Sequence, residues 1–377
     1  MKERPYIDSL TGLRGIAALW VALLHGVHEL SLESIMPNPL LNSISCGWLA
    51  VDLFFVLSGF VIAYVHLGDF TRITKATCVR FLLLRLARIY PAHLAAVLLW
   101  LAPLSLAAWQ SVAPASAGLS RNYSWLTFTA AVTPTNGWGI PGFMGWNLPS
   151  WSVGSEWFAY LTFPLLGCAL CRVARAAYAG AIIAATLLLM LCLSHWLTGG
   201  ARFVLPDRWA LVRVECEFLI GCCVYLLAAT RRASILGAVL TYSAAAAVVA
   251  MSMAGWQSNS GVLYLMCFAA LVFGLANSPT GPSRFLTLWP LQRLGRISYS
   301  LYLIHALVIV GIRTLAHLPP LAWLPEPAGT WVRLALYLVS IGVAAQMLYA
   351  LVEKPGRIAL RRRWGLDGAQ PSAALAA

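Results

Sequence analysis

Residues 10–25 read L-T-G-L-R-G-I-A-A-L-W-V-A-L-L-H. This stretch is apolar enough for a membrane-spanning helix, yet it carries two ionisable side chains, Arg14 and His25. Burying such a group in lipid is costly, so residues of this kind usually face a protein interior or a substrate path. The first helix is therefore the first place to search for chemistry.

The composition extends this pattern to the whole chain. Of 377 residues, 60% are hydrophobic and 10% are charged, whereas a soluble domain carries about 25% charged residues. The chain is therefore predicted to be an integral membrane protein. Its 26 Lys and Arg outnumber 13 Asp and Glu, but the basic residues lie in short clusters between apolar segments. Orientation in a membrane explains them better than nucleic-acid binding, and we expect no nucleic-acid partner.

The nine cysteines are an odd number scattered mainly through apolar segments. They do not resemble a disulfide framework. Cys168 and Cys171 form a lone C-x-x-C without a second pair or a histidine at zinc spacing, which favours small buried side chains over a metal site. No metal is expected.

A membrane-spanning helix needs about 20 mostly apolar residues. On that rule the sequence predicts an all-α, polytopic transmembrane bundle of ten helices, which cover residues 10–29, 46–66, 89–109, 150–171, 177–196, 210–229, 234–254, 260–277, 297–316 and 331–352. The chain is predicted to be a single domain over 1–377, with a core at 5–363 and a short flexible tail at 364–377.

The basic residues predict the orientation of this bundle. If both termini are cytoplasmic, most of the 26 Lys and Arg fall in cytoplasmic segments, as the positive-inside rule requires. Arg213 is one of six that fall near the outer side, where it is a candidate for binding an anionic acceptor. The longest outer connection, about 110–149, is rich in Ser, Thr, Gly, Pro and Trp, and long loops of this kind are often functional.

Arg14 and His25 are expected to share one face of the first helix. Eleven residues separate them, which at 100° per residue returns to nearly the same face and at 1.5 Å per residue spans about 16 Å. Arg14 then lies at the cytoplasmic mouth and His25 near the middle of the membrane. A snorkelling arginine and a helix-packing histidine are the alternatives.

Two carboxylates are predicted at the depth of His25. Asp52 and Glu156 each lie about six residues inside their helices from the outer end, or about 9 Å deep. Ionisable groups at one depth must pair with each other or line a wet cavity. A carboxylate beside the His25 imidazole would hold the ring as a general base requires, and the sequence does not decide which carboxylate does so.

A second candidate site is the pair Arg85 and Arg88, three residues apart at the predicted cytoplasmic entrance to the third helix. Two guanidinium groups on one face suit phosphate oxygens. Lipid headgroups would bind there equally well, so this pair alone also fits a topological signal.

Six motifs together resemble acyltransferase family 3, which comprises polytopic membrane acyltransferases found largely in bacteria. They are R-x10-H in the first helix, V-D-L-F-F-V-L-S-G-F at 51–60, R-L-A-R-I-Y-P at 85–91, N-L-P-S-W-S-V-G-S-E-W-F-A-Y-L-T-F-P at 147–164, G-R-I-S-Y-S-L-Y-L-I-H at 295–305 and V-E-K-P at 352–355. The resemblance runs in order from about residue 5 to 363.

The resemblance implies specific roles for the matching residues. An acyl-CoA donor would bind from the cytoplasm, with Arg85 and Arg88 on its phosphates and His25 as the essential base. Arg14 carries over as the basic partner of His25 in the R-x10-H motif and as a further donor-binding candidate. Members of the family commonly O-acylate cell-surface or exported glycans, and some modify small natural products. The remaining motif residues are implied as candidates for the pocket: Trp151, Ser152, Glu156, Ser298, Tyr302 and His305.

The sequence thus predicts a bacterial inner-membrane O-acyltransferase that moves acetyl from acetyl-CoA to a hydroxyl of a lipid-linked or exported glycan. In the expected mechanism His25 takes the acceptor proton, and Tyr302, Ser298 or an arginine stabilises the oxyanion; an acyl-histidine intermediate is the alternative. Acylation of a macrolide-type natural product and a proton-coupled transporter or flippase are the competing functions. The partners expected are acyl-CoA, the hydroxyl acceptor and membrane lipid, and a homodimer is left open.

Overall fold

The structure is a computed structural model that describes residues 7–103, 123–139, 145–173, 176–199, 209–230, 234–256, 261–278, 281–319 and 321–366. These ranges are mostly helical and contain no β-strand. The all-α prediction is therefore confirmed. The tail predicted at 364–377 lies almost entirely outside the described residues.

Fourteen α-helices are found in the described ranges, joined by short 3₁₀ turns. They are α1 (Asp8–Glu29), α2 (Asn38–Ser45), α3 (Ala50–His66), α4 (Lys75–Leu99), α5 (Trp125–Val132), α6 (Ser150–Val173), α7 (Ala176–Thr198), α8 (Ala210–Thr230), α9 (Ser234–Met253), α10 (Gly261–Asn277), α11 (Gly281–Leu286), α12 (Trp289–Ala316), α13 (Ala328–Leu348) and α14 (Lys354–Arg363).

Each of the ten predicted spans overlaps a helix of 17 or more residues in this set. Seven segments of the described chain are long and apolar enough to cross a membrane, and they contain α1, α3, α4, α7, α9, α12 and α13 with α14. Helix α10 is shorter, with 17 residues, and α8 carries Arg213, Glu215 and Glu217 within one apolar stretch. The total of ten spans stays a prediction.

Helix α4 begins well before the predicted residue 89. Its N-cap is Thr74, whose side chain accepts a hydrogen bond from the Thr77 amide at 3.1 Å. Arg85 and Arg88 therefore lie in the middle of the helix and are buried, not at its entrance as expected. The sequence boundary was wrong because charged residues were excluded from the span, whereas other helices bury them here.

The C-terminal basic stretch is also part of the bundle. A π-turn at Tyr349–Glu353 joins α13 to α14 without a break. Arg357 and Arg361 of α14 are buried, although the sequence placed them in a cytoplasmic segment after the last helix. The expectation missed them because a basic run after an apolar helix usually reports topology alone.

Helices α1 and α12 cross at glycines. A Cβ atom on Gly15 would lie 2.7 Å from the Gly295 amide nitrogen, and one on Gly295 would overlap the Thr11 carbonyl oxygen. Small residues let membrane helices approach in this way. The close crossing aligns α1, which carries Arg14 and His25, with the α12 residues that face the bundle interior.

Helices α3 and α8 also pack closely. A Cβ atom on Gly59 would overlap the Phe218 carbonyl of α8. Helix α6 closes the side of α3 that carries Ser58. The five helices α1, α3, α4, α6 and α12 surround the candidate site.

Candidate active site

A cavity of about 110 Å³ lies between α1, α3, α4, α6 and α12. Its walls combine mostly apolar side chains of α3 with mostly polar side chains of the other four helices. The polar and charged residues that line it are Arg14, Ser58, Arg85, Arg88, Ser152, Glu156, Tyr160, Ser298, Tyr299 and Tyr302. Seven of the twelve sequence-predicted site residues thus line the cavity, with the arginines of α4 on one wall.

Glu156 lies on the α6 wall and is held by two hydroxyl groups. Ser58 donates to its Oε1 atom at 2.6 Å, and Tyr160 donates to the same atom at 2.5 Å. The carboxylate also interacts electrostatically with Arg85 and Arg88. Glu156 therefore balances part of the positive charge of α4.

Arg88 is fixed by an ion pair that the sequence did not identify. Its Nη1 atom donates to Glu353 Oε1 at 2.8 Å, and its guanidinium group lies 5.1 Å from the centre of the Tyr299 ring. Ser300 donates to the other oxygen of Glu353 at 2.6 Å. Glu353 is 1% exposed. The V-E-K-P motif could have indicated Glu353 as a buried carboxylate, because this acidic residue directly follows an apolar helix.

Arg85 differs from Arg88 in its surroundings. It is 4% exposed and lines the cavity, and its Nε atom has no hydrogen-bond partner among the described residues. An unpaired buried donor of this kind is costly. A cavity ligand with oxygen acceptors would satisfy it.

Tyr302 forms the part of the cavity wall closest to the histidines. Its hydroxyl and the Ser152 hydroxyl share a hydrogen bond of 2.7 Å, and its ring packs edge-on against Phe54 with centroids 5.8 Å apart. Trp151 packs edge-on against Phe55 of α3. Ser298 lines the cavity but donates to the Gly295 carbonyl of its own helix at 2.8 Å.

His25 and His305 form a pair of imidazole rings next to this wall. Their ring centroids are 5.0 Å apart. His25 Nδ1 bonds the Val21 carbonyl at 2.9 Å, and His305 Nδ1 bonds the Tyr302 carbonyl at 2.6 Å. Because a carbonyl only accepts, each Nδ1 carries the hydrogen, and in the neutral ring each Nε2 has the free lone pair. This is the tautomer in which Nε2 acts as a base.

The expected carboxylate beside His25 is not found. Asp52 forms an ion pair with Arg213 of α8, and Arg213 also donates to Glu217 at 3.2 Å. Glu156 bonds Ser58 and Tyr160. Depth along a helix does not specify the direction in which a side chain points, and both carboxylates bond residues other than His25. Val21 holds the imidazole ring instead.

Arg213 was predicted to bind an acceptor, but in the structure its guanidinium group is engaged inside the bundle. It lies between Asp52 and Glu217 and near the Trp48 ring. Sequence reasoning missed Glu217, although the spacing of four from Arg213 on one helix is a recognisable pair signal. The cluster of Arg213, Asp52 and Glu217 is adjacent to the cavity, since Arg213 interacts electrostatically with Tyr302.

Comparison with known proteins identifies the class. A family model described as "Acyltransferase domain" matches residues 7–349. The chain therefore belongs to acyltransferase family 3, as the motifs predicted. It is a multi-pass membrane protein of an acyltransferase family.

Two curated relatives are similar over long alignments. The chain is 29% identical over 385 residues to acyltransferase MdmB of Streptomyces mycarofaciens, which covers 95% of the chain and 93% of MdmB. It is 24% identical over 336 residues to O-acetyltransferase OatA of Staphylococcus aureus, which covers 82% of the chain and 51% of OatA. The chain thus spans about half the length of OatA. No solved structure matches the chain.

Proposed function

We propose that the protein transfers an acetyl group from acetyl-CoA to a hydroxyl acceptor. The observation that carries this proposal is the cavity itself, which has buried arginines on one wall and Tyr302 beside the His25–His305 pair on another. Guanidinium groups suit the phosphates of CoA. An imidazole with a free Nε2 suits the removal of a hydroxyl proton.

The reaction proposed at His25 is a direct transfer. The acceptor hydroxyl gives its proton to Nε2 as its oxygen attacks the thioester carbonyl, and the carbon–sulfur bond then breaks. The thiolate of CoA leaves and takes the proton from the imidazolium ion, so no proton is gained or lost overall. The hydroxyls of Tyr302 and Ser152, which lie 2.7 Å apart, are the proposed donors to the oxyanion.

Access to His25 passes Tyr302 in this proposal. His25 is not one of the residues that line the cavity, and His305 connects it to the Tyr302 segment through ring and backbone contacts. In the proposed path the thioester passes the Tyr302 side chain to reach Nε2, and the Tyr302 hydroxyl then donates to the oxyanion. Replacing Tyr302 with a residue that has a smaller side chain should leave acyl-CoA binding intact and change the turnover rate.

The acceptor we propose is a hydroxyl of a lipid-linked or exported glycan, with the enzyme in a bacterial cytoplasmic membrane and both termini in the cytoplasm. Acetyl is supported by the name of OatA, an O-acetyltransferase. Trp125, which is 82% exposed on α5, offers an aromatic face in the segment before α6. A macrolide-type acceptor is the competing choice.

The experiment is a transfer assay with the protein in lipid nanodiscs. Labelled acetyl-CoA is supplied with lipid-linked oligosaccharides or with macrolides, and the labelled product is identified by mass spectrometry. Label on the oligosaccharide in wild type and none in His25→Ala supports the proposal, and label on macrolides alone overturns the acceptor. If neither acceptor nor water ever receives the acetyl group, acyl transfer itself is overturned and transport becomes the better proposal.

A further inference from the structure

A buried group of four arginines joins two helices beside the cavity. Arg85 and Arg88 lie on α4, and Arg357 and Arg361 lie on α14. Their exposed fractions are between 4% and 8%. The match to the family model ends at residue 349, so both arginines of α14 lie beyond it.

Helix α14 presents these residues to α4 at short range. Glu353, Arg357 and Arg361 follow each other at intervals of four and therefore share one face of the helix. A Cβ atom on Gly356 would lie 2.7 Å from Pro91 Cβ, which shows how closely α14 approaches α4. The π-turn that ends at Glu353 sets the rotation of this face, and such turns often occur at functional sites.

The charges in this group are predominantly positive. Arg85 is repelled by Arg88 and Arg361, and Arg357 is repelled by the same two side chains. Glu353 attracts Arg88 and Arg357, but its carboxylate is already bonded to Arg88 at 2.8 Å. Buried like charges are unfavourable unless an anion compensates them.

Arg85 and Arg357 are among the arginines of this group that keep an unsatisfied donor. The Nε atoms of Arg85 and Arg357 are buried and make no hydrogen bond within the part of the chain that the structure describes. The two residues are on facing helices, and Arg85 lines the cavity. A ligand with several oxygen acceptors and negative charge would satisfy both. Phosphate groups have this chemistry.

We infer that Arg85 and Arg357 form a phosphate site between α4 and α14 that takes the diphosphate of the acyl-CoA donor. This inference rests on the proposed function and changes it in one respect. Arg88 is held by Glu353, so α14 supplies the second guanidinium group of the site. A phospholipid headgroup presents the same chemistry, and the test separates the two sources.

The test measures CoA binding to the full chain in nanodiscs of neutral lipid. Arg357→Gln should raise the dissociation constant for CoA about tenfold, because it removes a charged hydrogen-bonding group. Arg363→Gln is the matched control, since it removes one charge from an exposed position of the same helix; it should change the constant less than twofold. Acetyl-pantetheine, which lacks phosphates, should bind wild type and Arg357→Gln equally.

Three results would overturn the inference. The first is unchanged CoA binding in Arg357→Gln while Arg85→Gln weakens it, which leaves the proposed function standing. The second is an effect seen only in anionic nanodiscs with loss of co-purified phospholipid, which assigns the site to lipid. The third is a wild type that binds no CoA, which removes the proposed function as well. If Arg357→Gln fails to fold, Arg357→Lys is the substitute variant. It keeps the positive charge but lacks the paired N–H donors of the guanidinium group, so it should weaken CoA binding measurably but less than tenfold.

Discussion

Glu353 satisfies two donors at once. One oxygen accepts from Arg88 at 2.8 Å and the other from Ser300 at 2.6 Å, with the side chain 1% exposed. Breaking a buried pair leaves an uncompensated charge, which is more costly than removing both partners. Because Arg88 lies close to other arginines, loss of the Glu353 carboxylate should lower the free energy of unfolding by a large amount.

We expect Glu353→Leu to destabilise the folded protein by about 3 kcal/mol, since Arg88 would lose its carboxylate partner. The measurement is the unfolding midpoint of the purified protein in detergent. The double variant Arg88→Leu/Glu353→Leu should regain part of this loss. Glu29→Leu is the control, because its pair with Arg313 is at an exposed position and should matter little. A midpoint equal to wild type in Glu353→Leu would contradict this account of Arg88.

The sequence identified many of the residues around the cavity but few of their partners. Arg14, Arg85, Ser152, Glu156 and Tyr302 were selected from charge, motif and depth, and the structure places all five on the cavity wall. Partners depend on the rotation of each helix about its axis, which a span of apolar residues leaves undetermined. For this reason the sequence did not predict that Asp52 pairs with Arg213 of α8, or that Glu353 pairs with Arg88.

At the scale of elements, the crossing of α1 and α12 fixes the relation between His25 and the α12 residues. Gly15 and Gly295 meet where the backbones are closest. A side chain there cannot be accommodated by a rotamer change, because the neighbouring atoms belong to backbone. The helices would have to separate.

Gly295→Leu should therefore destabilise the fold by about 3 kcal/mol, near the upper end of overpacking effects, and should also lower turnover by moving α12 relative to α1. The unfolding midpoint and the transfer rate are the two measurements. Gly311→Leu is the matched control on the same helix, because a Cβ there meets nothing within 4 Å. Equal midpoints for the two variants would show that the crossing is not as close as described.

Most elements followed from the sequence because a run of about 20 apolar residues has few alternatives to a helix in a membrane. The exceptions are the first residues of two helices and the turn between α13 and α14. Helix α4 begins at Lys75 and not at 89, and α12 begins at Trp289 and not at 297, because arginines that looked like loop residues are part of both helices. In α4, Arg85 and Arg88 are buried between helices, whereas Arg293 and Arg296 of α12 are exposed. The π-turn between α13 and α14 has no comparable signal in the sequence.

For the whole molecule, the distribution of Lys and Arg predicts that both termini are cytoplasmic. A fluorescent protein fused after Ala377 should then fluoresce, and alkaline phosphatase fused there should be inactive. Phosphatase fused after His317, between α12 and α13, should be active. The opposite pattern would place the arginines of α4 and α14 on the outer side, where cytoplasmic CoA does not reach them.

The central claim is that one cavity binds the donor through its arginines while His25 performs the chemistry. The most direct measurement compares CoA binding and acetyl-CoA turnover in wild type, His25→Ala and Arg85→Gln in the same nanodiscs. His25→Ala should bind CoA like wild type but lose turnover at least a hundredfold, whereas Arg85→Gln should bind CoA about tenfold more weakly. Wild-type turnover in His25→Ala, or unchanged CoA binding in Arg85→Gln, would rule out these roles.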